Sequence, residues 1–291
     1  MYSLIGVEEV IKTIYTLSHP YLQPGQNPSL IDIKLALRKH LSKIQPNVSR
    51  SELTEIEFIL SGVRIESLLN ALMIEREEMD KKTPEQLNQK DSLKKVMVGF
   101  DDLCKRANRI SDIFRMVIDT IVVTTDVKIS GSATISNAVG IMWVQPDNWW
   151  SNADILEALV HELTHTLLFL DEQRYGHYSK VESLNDEKTW VPSAIRNELR
   201  PINGVVHSII VAAEILNLRK ELHFKQDELN LHGNSRDLII KTKNSLDAIM
   251  QKPASWNLLS KRMQFLLETT NKLMNSLYRE IIGEEEYVAK P

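Results

Sequence analysis

The sequence predicts a mainly α-helical protein, bundle-like, with one small β-sheet beside a histidine-bearing helix. Apolar residues recur at the period of about 3.6 residues over most of the chain. A short Ile/Val/Thr-rich stretch follows Val117, and Pro, Gly and Asn clusters cut the helical pattern into segments. The 291 residues, 43% hydrophobic and 25% charged, suffice for a real core. They are read as one catalytic unit, 1–291, in three parts: helices over 1–116, the sheet and site helices over 117–222, and closing helices over 223–291.

Residues 4–115 read as successive amphipathic helices. Ser18-His19-Pro20 to Pro28 and Gln45-Pro46-Asn47 interrupt them. Ser51 to Glu55 opens a longer helix whose inward face is Ile59, Val63, Ile65, Leu68, Leu69, Leu72 and Met73. Glu75 to Lys82 is a charge run, read as a solvated face and exit loop. Asp91 to Met116 reads as one more helix, carrying Val96, Val98, Phe100, Leu103 and Ile110 inward. Residues 118–127 read as a strand, Ser130-Gly131-Ser132 as a turn, and 137–144 as a second strand ended by Gln145-Pro146. That second strand directly precedes the histidine helix. It is either an edge strand that pairs with an extended peptide or an internal structural strand.

Ser151 and Asp154 form a capping-box signal, so a helix starts near Asn152 and runs to about Leu170. Leu156, Leu159, Val160, Leu163, Leu167 and Leu170 make its apolar stripe. The chain then loses helical period, and Asp171 to Trp190 reads as a long loop. Pro201 starts a helix that continues to about Leu222. Three further helical patterns lie near 225–250, 254–268 and 270–282.

A formal charge of -4 without a long basic run argues against nucleic acid as a partner. The single Cys104 excludes an intrachain disulfide. Met1 to Tyr15 carries Glu8 and Glu9 and lacks a basic flank, so it is not a secretory signal. No run of ~18 uninterrupted apolar residues occurs, so no membrane span is expected. The expected location is cytoplasmic.

His161-Glu162-Leu163-Thr164-His165 is an HExxH stretch. On a helix it places two imidazoles one turn apart with a carboxylate beside them. Such nitrogens suit zinc or ferrous iron, and Glu162 can serve as base, proton shuttle or neighbour to the ligands. Two histidines hold a divalent ion poorly, so a third ligand decides the class. Leu168 and Asp171 stand where the longer HExxHxxGxxH motif needs Gly and His. Glu198 and Glu214 are carboxylate candidates, and His207 is an imidazole candidate. His207 lies opposite the apolar face Val205, Val206, Ile209, Ala212, Ala213 and Leu216, where a buried ring needs a partner. Arg196 and Arg200 stand just upstream and are candidates to grip a carboxylate-bearing cosubstrate.

The segment Ala158 to His165, followed by Ser193-Ala194-Ile195-Arg196-Asn197-Glu198-Leu199-Arg200-Pro201 to His207, resembles the HExxH motif-containing peptide-modification family of ribosomal peptide biosynthesis. The likeness covers about residues 117–220. The family often has Ser-Pro-Trp-Arg where this chain has Ser193-Ala194-Ile195-Arg196, and His-Gly where it has His207-Ser208. The resemblance implies an iron(II)- and 2-oxoglutarate-dependent peptide β-hydroxylase, with His161, His165 and His207 holding iron and Arg196 or Arg200 binding 2-oxoglutarate. Two rival expectations stand beside it. One is a zinc peptidase with Glu162 as general base. The other is a noncatalytic protein that holds a precursor peptide for a partner enzyme.

Overall fold

The computed structural model describes residues 1–25, 27–75, 88–125, 131–193 and 198–283, and its architecture is mainly α with a small mixed sheet. The chain forms two compact units, residues 7–170 and residues 1–6 together with 171–291. The division falls after Leu170, inside a helix, whereas sequence reading places its subdivisions at 116/117 and 222/223.

Helix α1 (Tyr2–Ile5) belongs to the second unit, and the first unit opens with α2 (Val7–Ser18) and α3 (Leu30–Ile44). Ser29 starts α3 by accepting from the Asp32 N–H at 3.2 Å, while the Asp32 carboxylate accepts the Ser29 N–H at 2.8 Å. Ile33, Ala36, Leu37 and Leu41 then face inward. The long helix expected from Ser51 is absent. Glu57–Ile59 is instead a strand, β1, and the helix α4 covers only Val63–Ala71. Gly62, at φ 111°, sets that boundary, since a positive φ suits glycine and ends the extended chain. Val63 and Met73, expected in the core, are exposed, while Ile65, Leu68, Leu69 and Leu72 are buried. The charge run after Glu75 lies outside the described residues.

The stretch expected as one helix to Met116 is two, α5 (Gln89–Arg106) and α6 (Asn108–Val117), broken where Ala107 leaves helical geometry at φ -138° and ψ 62°. Val98 faces solvent rather than the core. Three more strands follow: β2 (Thr120–Val123), β3 (Gly131–Ala133) and β4 (Ile141–Gln145). Their order is β1-β2-β4-β3, the first two pairings parallel and the last antiparallel.

Two strand expectations are corrected. Gly131 and Ser132 are not a turn but part of β3, and Ser130 lies outside the described residues. Residues 136–138 form a 3-10 turn, and β4 begins only at Ile141. Gly140, at φ 87°, makes that entry, and a Cβ there would sit 3.0 Å from the Val117 carbonyl oxygen. Of the two expectations for that strand the internal one holds, since β4 lies between β2 and β3, and β3 is the edge beside it among the described residues.

The first unit's sheet core is apolar but tied by polar contacts. Ile59, Val122, Ile141 and Trp143 pack with Ile65, Leu68, Leu69 and Leu72. Trp143 Nε1 donates to Thr124 Oγ1 at 2.7 Å, whose hydroxyl donates to Gln145 Oε1 at 2.8 Å. Asp119, buried just before β2, takes Arg38 Nε at 2.9 Å and Arg50 Nη1 at 3.3 Å. Satisfying a buried carboxylate this way offsets part of its desolvation cost.

Helix α7 (Asn152–Tyr175) carries the HExxH stretch. Its expected capping box is present: Asp154 N–H donates to Ser151 Oγ at 3.0 Å, and Ser151 N–H to Asp154 Oδ2 at 2.8 Å. Helix α5 crosses so closely that a Cβ on Gly99 would overlap Ile155 Cγ2. The helix also runs past the expected end at Leu170, through Asp171 to Tyr175.

The second unit is helical. Two short strands, β5 (Val191–Pro192) and β6 (Leu199–Arg200), pair before α8 (Ile202–Leu222), which starts after Pro201 as expected. Helix α9 (Ser235–Met250), the single turn α10 (Pro253–Trp256) and α11 (Lys261–Tyr278) complete it. The patterns expected at 254–268 and 270–282 thus resolve mainly into one helix, α11. Among the described residues, α8 is the one helix long and apolar enough to cross a membrane by composition. It is mostly buried and packs against α1, α9 and α11, as a core helix does.

Candidate metal centre

In the first unit α7 presents His161 and His165 one turn apart, and their Nε2 atoms stand 3.2 Å from each other. Two nitrogens bound to one zinc or iron ion at about 2.0–2.1 Å, at angles between square and tetrahedral, lie ~2.9 to 3.4 Å apart. The pair already has that spacing. His165 keeps some accessible surface, yet burial of its ring holds the imidazole well below its usual range, to about 4. A neutral ring is the form that ligates a metal.

Glu162 turns toward the edge strand. Ser132 Oγ of β3 donates to Glu162 Oε1 at 2.7 Å, and His161 Nε2 lies 3.9 Å from the same oxygen. Burial pushes the Glu162 carboxyl up to about 8, although Ser132 and Thr134 favour its charged form. Ser132 and Thr134, the latter from its hydroxyl and its backbone, both face this buried carboxyl. Donor types and nitrogen spacing together fit zinc or iron(II) at this pair.

His207 is in the second unit, buried on α8, and its ligand neighbours there are Glu172 and His177. One ligand atom from each lies within 4.8 Å of the others. His177 is fixed from one side: its Nε2 meets Asp171 Oδ2 at 3.0 Å. Arg262 grips the same carboxylate with Nη2 at 2.7 Å and Nε at 3.0 Å. Burial alone would raise the Asp171 carboxyl, but His177 and Arg262 outweigh it and hold the group below its usual range. Burial raises the Glu172 carboxyl, and the His177 charge opposes the rise.

The remaining expected residues are less engaged. Glu214 is buried and committed to the Met1 amino group and the Ser3 N–H, so it is not a spare ligand. Glu198 is exposed and 3.8 Å from Arg200 Nε. That guanidinium is partly exposed, and its planar fork suits a carboxylate. Arg196 lies outside the described residues.

Sequence reading missed Ser132, Glu172 and His177 as site residues. Ser132 was hidden by its turn-like Gly131 neighbour. Glu172 and His177 stood beyond the expected helix end, where the available signal was a charged continuation of the same helix through Arg174 and Tyr175. Comparison with known protein families and with curated proteins finds no match for this chain.

Proposed function

We propose that this protein is an iron(II)- and 2-oxoglutarate-dependent oxygenase that hydroxylates a side-chain β-carbon in a ribosomally made precursor peptide. The observation that carries the reading is the His161–His165 pair, with nitrogens 3.2 Å apart beside the buried Glu162. His161 and His165 would hold the metal. When bound, iron(II) supplies the site for coupling dioxygen reduction to decarboxylation of 2-oxoglutarate. The atoms balance: one oxygen atom enters the peptide hydroxyl, the other enters succinate, and carbon dioxide leaves.

The chain's own residues do the rest. Arg200, or Arg196, binds the far carboxylate of 2-oxoglutarate through its planar donors. Ser132 holds Glu162 in place by its 2.7 Å hydrogen bond, which keeps one carboxyl oxygen toward β3. The peptide pairs with the outer edge of β3, where main-chain groups supply affinity and side-chain pockets supply selection.

A second reading, a zinc peptidase, would use Glu162, buried beside the His161–His165 pair, as general base. One experiment separates them. The protein is loaded anaerobically with iron(II) and given 2-oxoglutarate, air and a co-expressed precursor peptide, followed by mass spectrometry. A gain of one oxygen with succinate supports the oxygenase. Cleavage supports the peptidase, and an unchanged peptide supports the binding role.

A further inference from the structure

We propose that Glu172, His177 and His207 bind a divalent transition-metal ion of their own within the second unit. The three donors come from different places: Glu172 from the last turn of α7, His177 from the segment after it, and His207 from α8. Their ligand atoms lie within 4.8 Å of one another, a distance that a central ion closes with small side-chain movements. Two imidazoles and one carboxylate make the donor set that non-haem iron(II) sites use, and it also suits zinc.

A second observation points to a ligand. His177 is fully buried, and its Nδ1 has no hydrogen-bond partner. The other ring nitrogen faces Asp171, which accepts two bonds from Arg262 and is therefore the charged, acceptor-only form. Nε2 then carries the hydrogen shared with Asp171, and Nδ1 is the ring nitrogen left for a ligand. Carboxylate–histidine pairs of this kind orient metal ligands and raise their basicity. Without a ligand, Nδ1 is a buried polar atom with no hydrogen-bond partner.

The inference goes beyond the hydroxylase reading and does not rest on it. It places His207 with Glu172 and His177 instead of with the HExxH pair. One ring nitrogen serves one ion, so counting bound metal separates the two roles.

The test uses the full chain, stripped with a chelator and titrated anaerobically with iron(II). Cobalt(II) gives an absorption signature, and metal per chain is measured after desalting. The double variant His161→Ala/His165→Ala is expected to retain one equivalent. Adding His177→Ala, or the less buried Glu172→Gln if that fails to fold, is expected to remove it. Asp171→Asn is expected to weaken binding ~10- to 100-fold as a positioning residue, with partial recovery in Asp171→Glu. If His177→Ala and Glu172→Gln both leave the metal count and cobalt spectrum unchanged, the inference is overturned. Loss of all metal in the double variant has the same meaning and leaves the HExxH reading standing. Full retention in the double variant, with loss in His177→Ala, sinks the HExxH site and keeps this one.

Discussion

The two histidine clusters of this chain are built in opposite ways. His161 and His165 are neighbours on one helix turn, and their nitrogens converge by helix geometry alone. Glu172, His177 and His207 converge because one helix end, the segment after it and a second helix are packed together, and because Asp171 and Arg262 fix one ring. The first arrangement survives in the sequence as a motif. The second exists only in the folded unit, so its integrity depends on tertiary packing and its discovery on coordinates.

That contrast can be broken most severely at the motif. His161→Ala is expected to reduce peptide turnover to the background level while far-UV circular dichroism stays helical. Retained turnover would remove the pair from the chemistry altogether.

A smaller effect concerns what the first unit needs to hold its sheet. Asp119→Ala leaves Arg38 and Arg50 with uncompensated buried charge and is expected to cost ~3–5 kcal/mol in urea unfolding. Calorimetry sharpens the comparison, because a shift confined to one of two transitions would show that the units melt separately. A loss below ~1 kcal/mol would place this ion pair among the weak surface ones.

Gly99→Ala should come next. Its Cβ would overlap Ile155, so α5 and the HExxH helix must separate, at ~1–3 kcal/mol. Thermal unfolding reads the loss, and an unchanged midpoint would mean that the helices have room to shift. A fall in metal affinity at the HExxH pair alone would show that helix position tunes it.

The smallest effect lies at the cap of α3. Hydrogen bonds from the Ser29 hydroxyl and backbone hold the Asp32 carboxyl below its usual range. A depressed carboxylate contributes stability above its unfolded value of about 3.9 and loses it as pH falls through the folded value. Ser29→Ala is therefore expected to lower stability slightly at neutral pH, and the deficit should shrink as the solution is acidified below pH ~4. A deficit that grows toward acid would contradict this sign.

How much of this was legible follows from where each signal resides. The start of α7 could be read from Ser151 and Asp154, and the start of α8 from Pro201, because capping and proline geometry are local. The helical class followed from periodicity for the same reason. β1 was not legible: Phe58 and Ile59 also fit a helix face, and only pairing with Ile121 and Val122 makes them a strand. The end of α7 was misplaced because Asp171 and Glu172 look solvent-facing, yet Asp171 is buried against His177 and Arg262. In the candidate sites, the HExxH histidines were visible, whereas the grouping of His207 with Glu172 and His177 needed the fold.

The second unit includes residues 1–6, with α1 packed on α8 and α11. That segment lies far upstream of its partners along the chain, which begin at Ile202 and Lys261. At roughly 5–20 residues per second, α1 waits on the order of ten seconds or more for α8 and α11. Tyr2 and Leu4, buried in the finished protein, remain available to solvent or to chaperones throughout that interval. The first unit meanwhile has its whole sequence out of the tunnel and can fold. Docking of α1 is thus delayed until α8 and α11 have been made.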